Sequence, residues 1–348
     1  MARWEFKALE LNKDGTQKLV ALSPDQQMRV PAYASFLEAA RSSHVPNPRW
    51  SNYRVREGIG RLGEGAFQAG NIEYGYCKSL HGEPSASVIF RSARGNAFPA
   101  EGVGIVLPRS GEAAPPCGNC RDFMLDEFGK EFEIVSGSAE GGIAVVAELH
   151  QYLFENFFRL SLEYDFASGA ILPELGMSPM ALESKVWLTV REGKQLTYDS
   201  YAQSDPYPER RYAATVFTTR GYFAGGHDVM CDLDPTYALG DAIRQARRVG
   251  DSQFWCAVIV GEGSGERPPH VMYKDRQHLL ELNIQAELTW DEEGNPPVLL
   301  ATHQGDTITG LWKTSVKEWL PLPFSPYAFG PEFVEHLRKY FQSKASRL

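Results

Sequence analysis

SLHGEPSA, residues 79–86, sets a histidine and a glutamate two positions apart where the chain turns helical. Downstream, PSASVIFRSARG places Ala86, Ile89, Phe90 and Ala93 on one helical face before Gly95 stops it. A continuous apolar run follows, GVGIVLP at 102–108, which reads as a buried strand. APPCGNCRDFM, ending at Met124, then opens a second helix with Phe123, Met124 and Phe128 facing inward and Gly129 at its end. EFEIVSG reads as another strand, and the glycine-punctuated YRVREGIGRLGEGAFQAGNIEYG ahead of residue 79 reads as a hairpin. The order is β-β-α-β-α-β, the mark of a three-layer α/β fold.

Farther out, residues 1–50 read as a helical lead-in, with Ser23 and Pro24 starting a helix that ends before HVPNPRW. The second half repeats the order. AATVFTTRGYFAGGHDV matches the hairpin, TYALGDAIRQARRVG the first helix, FWCAVIVGEG the buried strand, and RPPHVMYKDRQHLLEL the second helix. His81 to Cys117 and Asp234 to His270 span the same distance, with paired prolines before the second helix each time. On that spacing Asp234 and Thr236 stand for His81 and Glu83, and His270 and Tyr273 for Cys117 and Cys120. An α/β fold duplicated in tandem is expected: a lead-in at 1–50, a first domain at 51–167, a Gly/Pro-rich linker at 168–184 and a second domain at 185–348. Coincidence between two common α/β units is the plainer alternative.

The 348 residues are 43% hydrophobic, enough for two ordinary cores. No apolar run reaches the length of a membrane span, and MARWEFKALELNKDG is too polar for a signal peptide, so the expectation is a cytoplasmic protein without a membrane partner. A net charge of -9 disfavours a nucleic-acid partner. Five cysteines are an odd, sparse set for a disulfide framework.

His81, Cys117 and Cys120 supply one imidazole and two thiolates, three ligands suited to Zn2+ with one coordination position open. That is the form of a catalytic rather than a structural site. Both ligand segments lie where helices begin, and helix N-termini favour thiolates. With a neutral imidazole the ligand charges cancel that of the ion, which leaves it able to activate water. Glu83, beside His81, suits a proton shuttle. Two other readings stay open: Cys77 as a fourth ligand in a structural site, and CGNC as a thiol-exchange pair, which gives His81 and Glu83 no role.

These motifs, HGE at 81–83 and PCGNC at 116–120, resemble the zinc-dependent nucleobase deaminases, whose pattern is His/Cys-x-Glu followed by Pro-Cys-x-x-Cys. AGNIEYG at 69–75 and PCGNCRD are similar to segments of the cytidine deaminase family in particular. The likeness covers about residues 50–160 and, more faintly, 211–331, including LPLPFSPYAFGP. It implies that His81, Cys117 and Cys120 bind zinc and Glu83 shuttles protons. Asn71 and Glu73 would bond ribose hydroxyls, and Gly82 and Pro116 would complete the substrate-binding set. The implied reaction converts cytidine, deoxycytidine or a close analogue to the uracil nucleoside with loss of ammonia, in a protein acting as a homodimer.

Gly82 departs from the usual Ala, leaving the amide available and enlarging the space beside the ring. Pro84, Ser85, Asp122, Tyr74 and Gly75 are further departures, which bear on the substrate more than on the reaction. A modified cytosine nucleoside, or another nucleobase, is one alternative substrate. An inactive binding or scaffold protein is an alternative of another class. The second half has no copy of the His-Cys-Cys set; His227, Asp234 and His270 are the residues from which a second metal site would have to be built.

Overall fold

The computed structural model describes residues 3–12, 17–45, 54–73, 79–94, 102–109, 113–153, 158–160, 162, 169–172, 175–196, 212–226, 237–250, 253–290, 293–320 and 331–345. The chain divides into two compact units, Met1–Glu155 with Pro321–His336, and Asn156–Leu320 with Leu337–Leu348. Along the chain the division falls between Glu155 and Asn156, and the segment 168–184 expected as a linker includes the start of a long helix at Pro179.

The first unit runs β1 (Trp4–Leu11), β2 (Gln17–Val20), α1 (Pro24–Ser42), β3 (Val55–Arg61), β4 (Gly65–Gly70), the short pair β5 (Ile72–Glu73) and β6 (Ser79–Leu80), α2 (Gly82–Arg94), β7 (Gly102–Pro108), α3 (Gly118–Phe128), β8 (Glu133–Ser136), β9 (Gly142–Glu148) and the one-turn α4 (Leu149–Tyr152). Its main sheet has the order β2-β1-β9-β8-β7-β3-β4. Strand β7 is buried at every position, as a strand covered on both faces must be. On one face Tyr33, Phe36, Leu37 and Ala40 of α1 pack on Val103, Ile105, Leu107, Ala144 and Val146. On the other, Cys120 and Met124 of α3 pack on Val106, Ile134 and Ala147, while Ala86 and Phe90 of α2 pack on Ile59. The strand period of two sends alternate side chains to these two helical layers.

Helix α1 starts where the sequence places it: Ser23 and Gln26 form a capping box, with Pro24 in the first turn. The expected all-helical lead-in is corrected, however. Trp4–Leu11 extends the sheet by pairing parallel with β9, and β2 folds back on it. That pairing joins residues more than 130 positions apart, so local periodicity carries no trace of it.

The second unit contains β10 (Phe158–Arg159), α5 (Pro179–Leu196), β11 (Tyr212–Thr218), β12 (Gly221–Gly225), α6 (Ala238–Arg248), β13 (Phe254–Glu262), α7 (Tyr273–Trp290), β14 (Pro297–Gln304), β15 (Thr307–Ser315) and the one-turn α8 (Val316–Trp319). Helix α9 (Pro331–Ala345) follows. The sheet order is β10-β15-β14-β13-β11-β12. Leu182, Val186 and Val190 of α5 pack on Phe217, Cys256, Val258, Val260 and Leu299. The alternate set, Ala257, Ile259, Val298 and Leu300, is equally buried, so this sheet too is covered on both faces.

Within each sheet one five-strand pattern recurs, β4-β3-β7-β8-β9 and β12-β11-β13-β14-β15. In both, the third strand is antiparallel to the hairpin, parallel to the fourth, and the fifth is antiparallel again. A buried arginine recurs as well. Arg121 Nε donates to Pro116 O at 2.9 Å and the guanidinium lies 5.4 Å from the Tyr152 ring. Arg276 Nε donates to Val271 O at 2.9 Å and its guanidinium lies 5.0 Å from the Trp319 ring. Tyr152 and Trp319 each end the one-turn helix after the fifth strand.

Matched on these arginines, Cys117 corresponds to Met272 and Cys120 to Asp275. The pairing with His270 and Tyr273 expected from the sequence is two residues out of step. Cys117 follows Pro116 directly and caps α3, whereas His270, Val271 and Met272 intervene between Pro269 and α7. His227, Asp234 and Thr236 lie outside the described residues. Among the described residues no helix is long and apolar enough to cross a membrane.

Candidate metal centre

The tight turns that start α2 and α3 place the three expected ligands together. His81 immediately precedes α2, and its carbonyl accepts from the Ser85 amide and from Ser85 Oγ at 2.8 Å, closing the first helical turn. Cys117 is the N-cap of α3, with its carbonyl accepting from Arg121 N at 3.0 Å, and Cys120 sits one turn further on. The buried Arg121 also donates to Tyr152 O at 2.8 Å, which ties the Pro116–Cys117 backbone to α4.

The ligand atoms form a nearly equilateral triangle. Cys117 Sγ and Cys120 Sγ lie 3.3 and 3.4 Å from His81 Nδ1 and 3.5 Å from each other. Tetrahedral bonds of zinc length to sulfur and nitrogen call for edges of about 3.5 to 3.8 Å. The donor set and its spacing therefore fit a zinc ion, with small outward shifts of the sulfurs. Among the described residues this is the one cluster of metal-binding side chains. Cys77, the candidate fourth ligand, lies outside them.

Glu83, buried in the first turn of α2, reaches the same triangle, and its Oε2 accepts from Cys120 Sγ at 3.1 Å. Burial and then the Cys117 charge raise its pKa, while His81 lowers it. The side-chain contact with Cys120, followed by the nearby imidazole, holds Cys117 well below the usual thiol range, and burial and the contact with Cys117 push Cys120 well above it. One thiolate beside an imidazole at two helix N-termini is a centre ready to exchange its proton for a cation.

The other expected site residues are distributed as follows. Asn71, at the end of β4, accepts from Val55 N through Oδ1 at 3.1 Å, clamping the start of β3. Glu73 lies on β5, paired through the backbone with Ser79, while its side chain is outside what is described. Tyr74 and Gly75 lie outside the described residues. Pro116 is buried and serves through its carbonyl as the Arg121 acceptor.

At Gly82 the space that the sequence leaves open is already filled. A Cβ built there would come 1.8 Å from Glu57 Oε2 and 2.5 Å from Glu57 Cδ. Glu57, on β3, is only 3% exposed, and it is a site residue the motif reading missed. The signal was present in YRVREGIGR, where Val55, Glu57 and Ile59 fall on one strand face: a carboxylate between two core positions. Burial, the Glu83 charge and the Cys117 charge raise its pKa well above the ordinary carboxylate value, against a pull from the Gly82 amide.

Compared with protein-family models and with curated proteins, the chain matches none. Among solved structures, one similar to part of it is cytidine deaminase from Burkholderia pseudomallei, 22% identical with a TM-score of 0.29, over 33% of this chain and 90% of that chain. Another is cytidine deaminase from Mycobacterium leprae, 19% identical with a TM-score of 0.26, over 38% of this chain and 98% of that chain.

Proposed function

We propose that the first unit is a zinc-dependent hydrolytic deaminase acting on a cytosine-class nucleoside. The observation that carries this is the triangle of His81, Cys117 and Cys120 with the buried Glu83 carboxylate against it. When bound, zinc supplies Lewis-acid activation of a water molecule. Glu83 takes a proton from the attacking water and delivers protons to the ring nitrogen and the departing amine. Water adds to the amino-bearing carbon, ammonia leaves, and a carbonyl remains, so atoms balance without a redox partner. The N-terminus of α3 carries both sulfurs and that of α2 the imidazole, and Arg121 keeps the Pro116–Cys117 turn in place.

In this reading Asn71 and Glu73 contact the ribose, with Gly82 and Pro116 beside the base. A modified cytosine nucleoside is a second reading, favoured by the Glu57 carboxylate beside Gly82. The shared five-strand pattern and the paired arginines support a tandem duplication with a degenerate second copy. A two-fold dimer of such a chain would imitate four small subunits. A role in pyrimidine salvage in the cytoplasm completes the proposal.

Zinc content and ammonia release test it together. Purified protein is expected to carry one zinc per chain and to release ammonia from a cytosine nucleoside, while E83Q keeps the zinc and loses at least a hundredfold in rate. Full activity in E83Q, or full zinc occupancy in H81A, overturns the assignment. A single mass by light scattering, twice that of the chain, is the expected result for the dimer.

A further inference from the structure

Glu57 is a buried carboxylate that the proposed chemistry does not use. It lies on the same strand face as Val55 and Ile59, turned toward α2 and α3, whereas Arg54 and Arg56 alternate to the opposite face. Its Oε2 is buried and makes no hydrogen bond, and Glu57 has no ion pair among the described residues. Leaving a buried acceptor unmet is destabilising. The Gly82 amide is the donor turned to this carboxylate, and it leaves Oε2 without a hydrogen bond of good geometry.

The surroundings show where the missing donor must come from. Oε2 stands where a side chain on residue 82 would begin, one residue from His81 and one from Glu83. The charges that act on it are those of Glu83 and Cys117, so the carboxylate lies beside the candidate metal ligands. The amide of Gly82 is turned to this carboxylate, so a ligand carbonyl approaching that amide meets an oxygen instead. A ligand amino group or ring N–H meets an acceptor.

We propose that Glu57 is the specificity-determining residue of this site, and that the substrate is an amino-heterocycle carrying a second hydrogen-bond donor, an amino group or ring N–H, where cytosine carries its carbonyl. This rests on the deaminase reading above and replaces the cytosine base of that reading by one of the diaminopyrimidine or guanine type. Gly82 follows from the same geometry, because any side chain there would displace the carboxylate.

Binding and turnover are measured separately. With zinc-loaded E83Q, calorimetry is expected to show 2,4-diaminopyrimidine binding at least tenfold tighter than cytosine. E83Q/E57A should lose that preference at unchanged zinc content, and E83Q/E57Q, of nearly the same shape, should reduce it if the alanine variant does not fold. Equal affinities, tighter binding of cytosine, binding of neither probe, or a preference that survives both substitutions overturns the role of Glu57. Ammonia release by the unmutated protein from cytidine, guanosine and both probes reports on the deaminase reading alone. Turnover with no dependence on Glu57 leaves that reading standing and removes this one. A Glu57-dependent binding preference without turnover overturns the deaminase reading and leaves Glu57 selecting a ligand rather than a substrate.

Discussion

The N-termini of α2 and α3 in the first unit and of α6 and α7 in the second are built on the same strand pattern and hold opposite chemistry. The first pair converges on one imidazole, two thiols and two carboxylates whose charges are unbalanced without a cation. In the second, the position of Cys120 is taken by Asp275, 2% exposed, whose Oδ2 accepts from Tyr212 Oη at 3.2 Å. The turn before α6 carries Tyr237, with Lys274 Nζ 5.1 Å from its ring. A hydrogen-bonded acid and aromatic rings fill the place that the first unit keeps for an ion. The same strand pattern therefore carries either content, and the candidate metal centre depends on a few side chains rather than on that pattern.

The largest expected break in this comparison comes from the ligands. H81A or C120S should abolish stoichiometric zinc binding and ammonia release, as read by metal analysis, while D275N leaves the zinc content unchanged. Loss of zinc in D275N would mean that the second unit shapes the first unit's site.

Next in size are the matched arginines, which test whether the two scaffolds are held alike. R121A and R276A should each destabilise their own unit by roughly 3 to 5 kcal/mol, because each leaves buried acceptors and an aromatic face without their partner. Hydrogen exchange resolved by segment assigns each effect. A loss spread evenly over both units would deny them separate cores.

Asp275 gives a smaller effect with a definite sign. Burial raises its pKa from 3.8 to about 6, against the charges of Lys274 and Arg244, the bond from Tyr212 and the Gly240 amide. His278 Nδ1 lies 3.9 Å from its other oxygen. The folded state thus holds this proton more tightly than the unfolded state does. Its contribution is complete below pH 3.8 and is lost as pH rises through about 6. The amount is on the order of 3 kcal/mol. Denaturation of the second unit between pH 4 and 7 should show this loss, and D275N should flatten it.

The smallest is a double-mutant cycle at the first site. G82A should cost about 1 to 3 kcal/mol through overpacking against Glu57. In the E57A background the same change should cost less by about 1 kcal/mol. Additive costs would show that the two residues do not compete for one space.

Much of this architecture is legible along the chain. Ser23–Pro24, the apolar GVGIVLP and the Pro-Cys turn each state their structure within a few residues, because caps, burial on both faces and tight turns are local constraints. The first strand is not legible, because WEFKALEL becomes sheet only by pairing with β9. The register in which the two strand patterns align is also hidden, since paired prolines suggest one register and the buried arginines another.

The grouping of His81, Glu83, Cys117 and Cys120 was legible from residue type and spacing alone, because side chains at the first turns of two helices need only short-range geometry to converge. Whether Gly82 opened a space or yielded to a neighbour was decided by the tertiary structure. Glu57 is 25 residues away in sequence and reaches that place only when β3 packs beneath α2, and burial without a partner is a property that no residue has until the fold surrounds it.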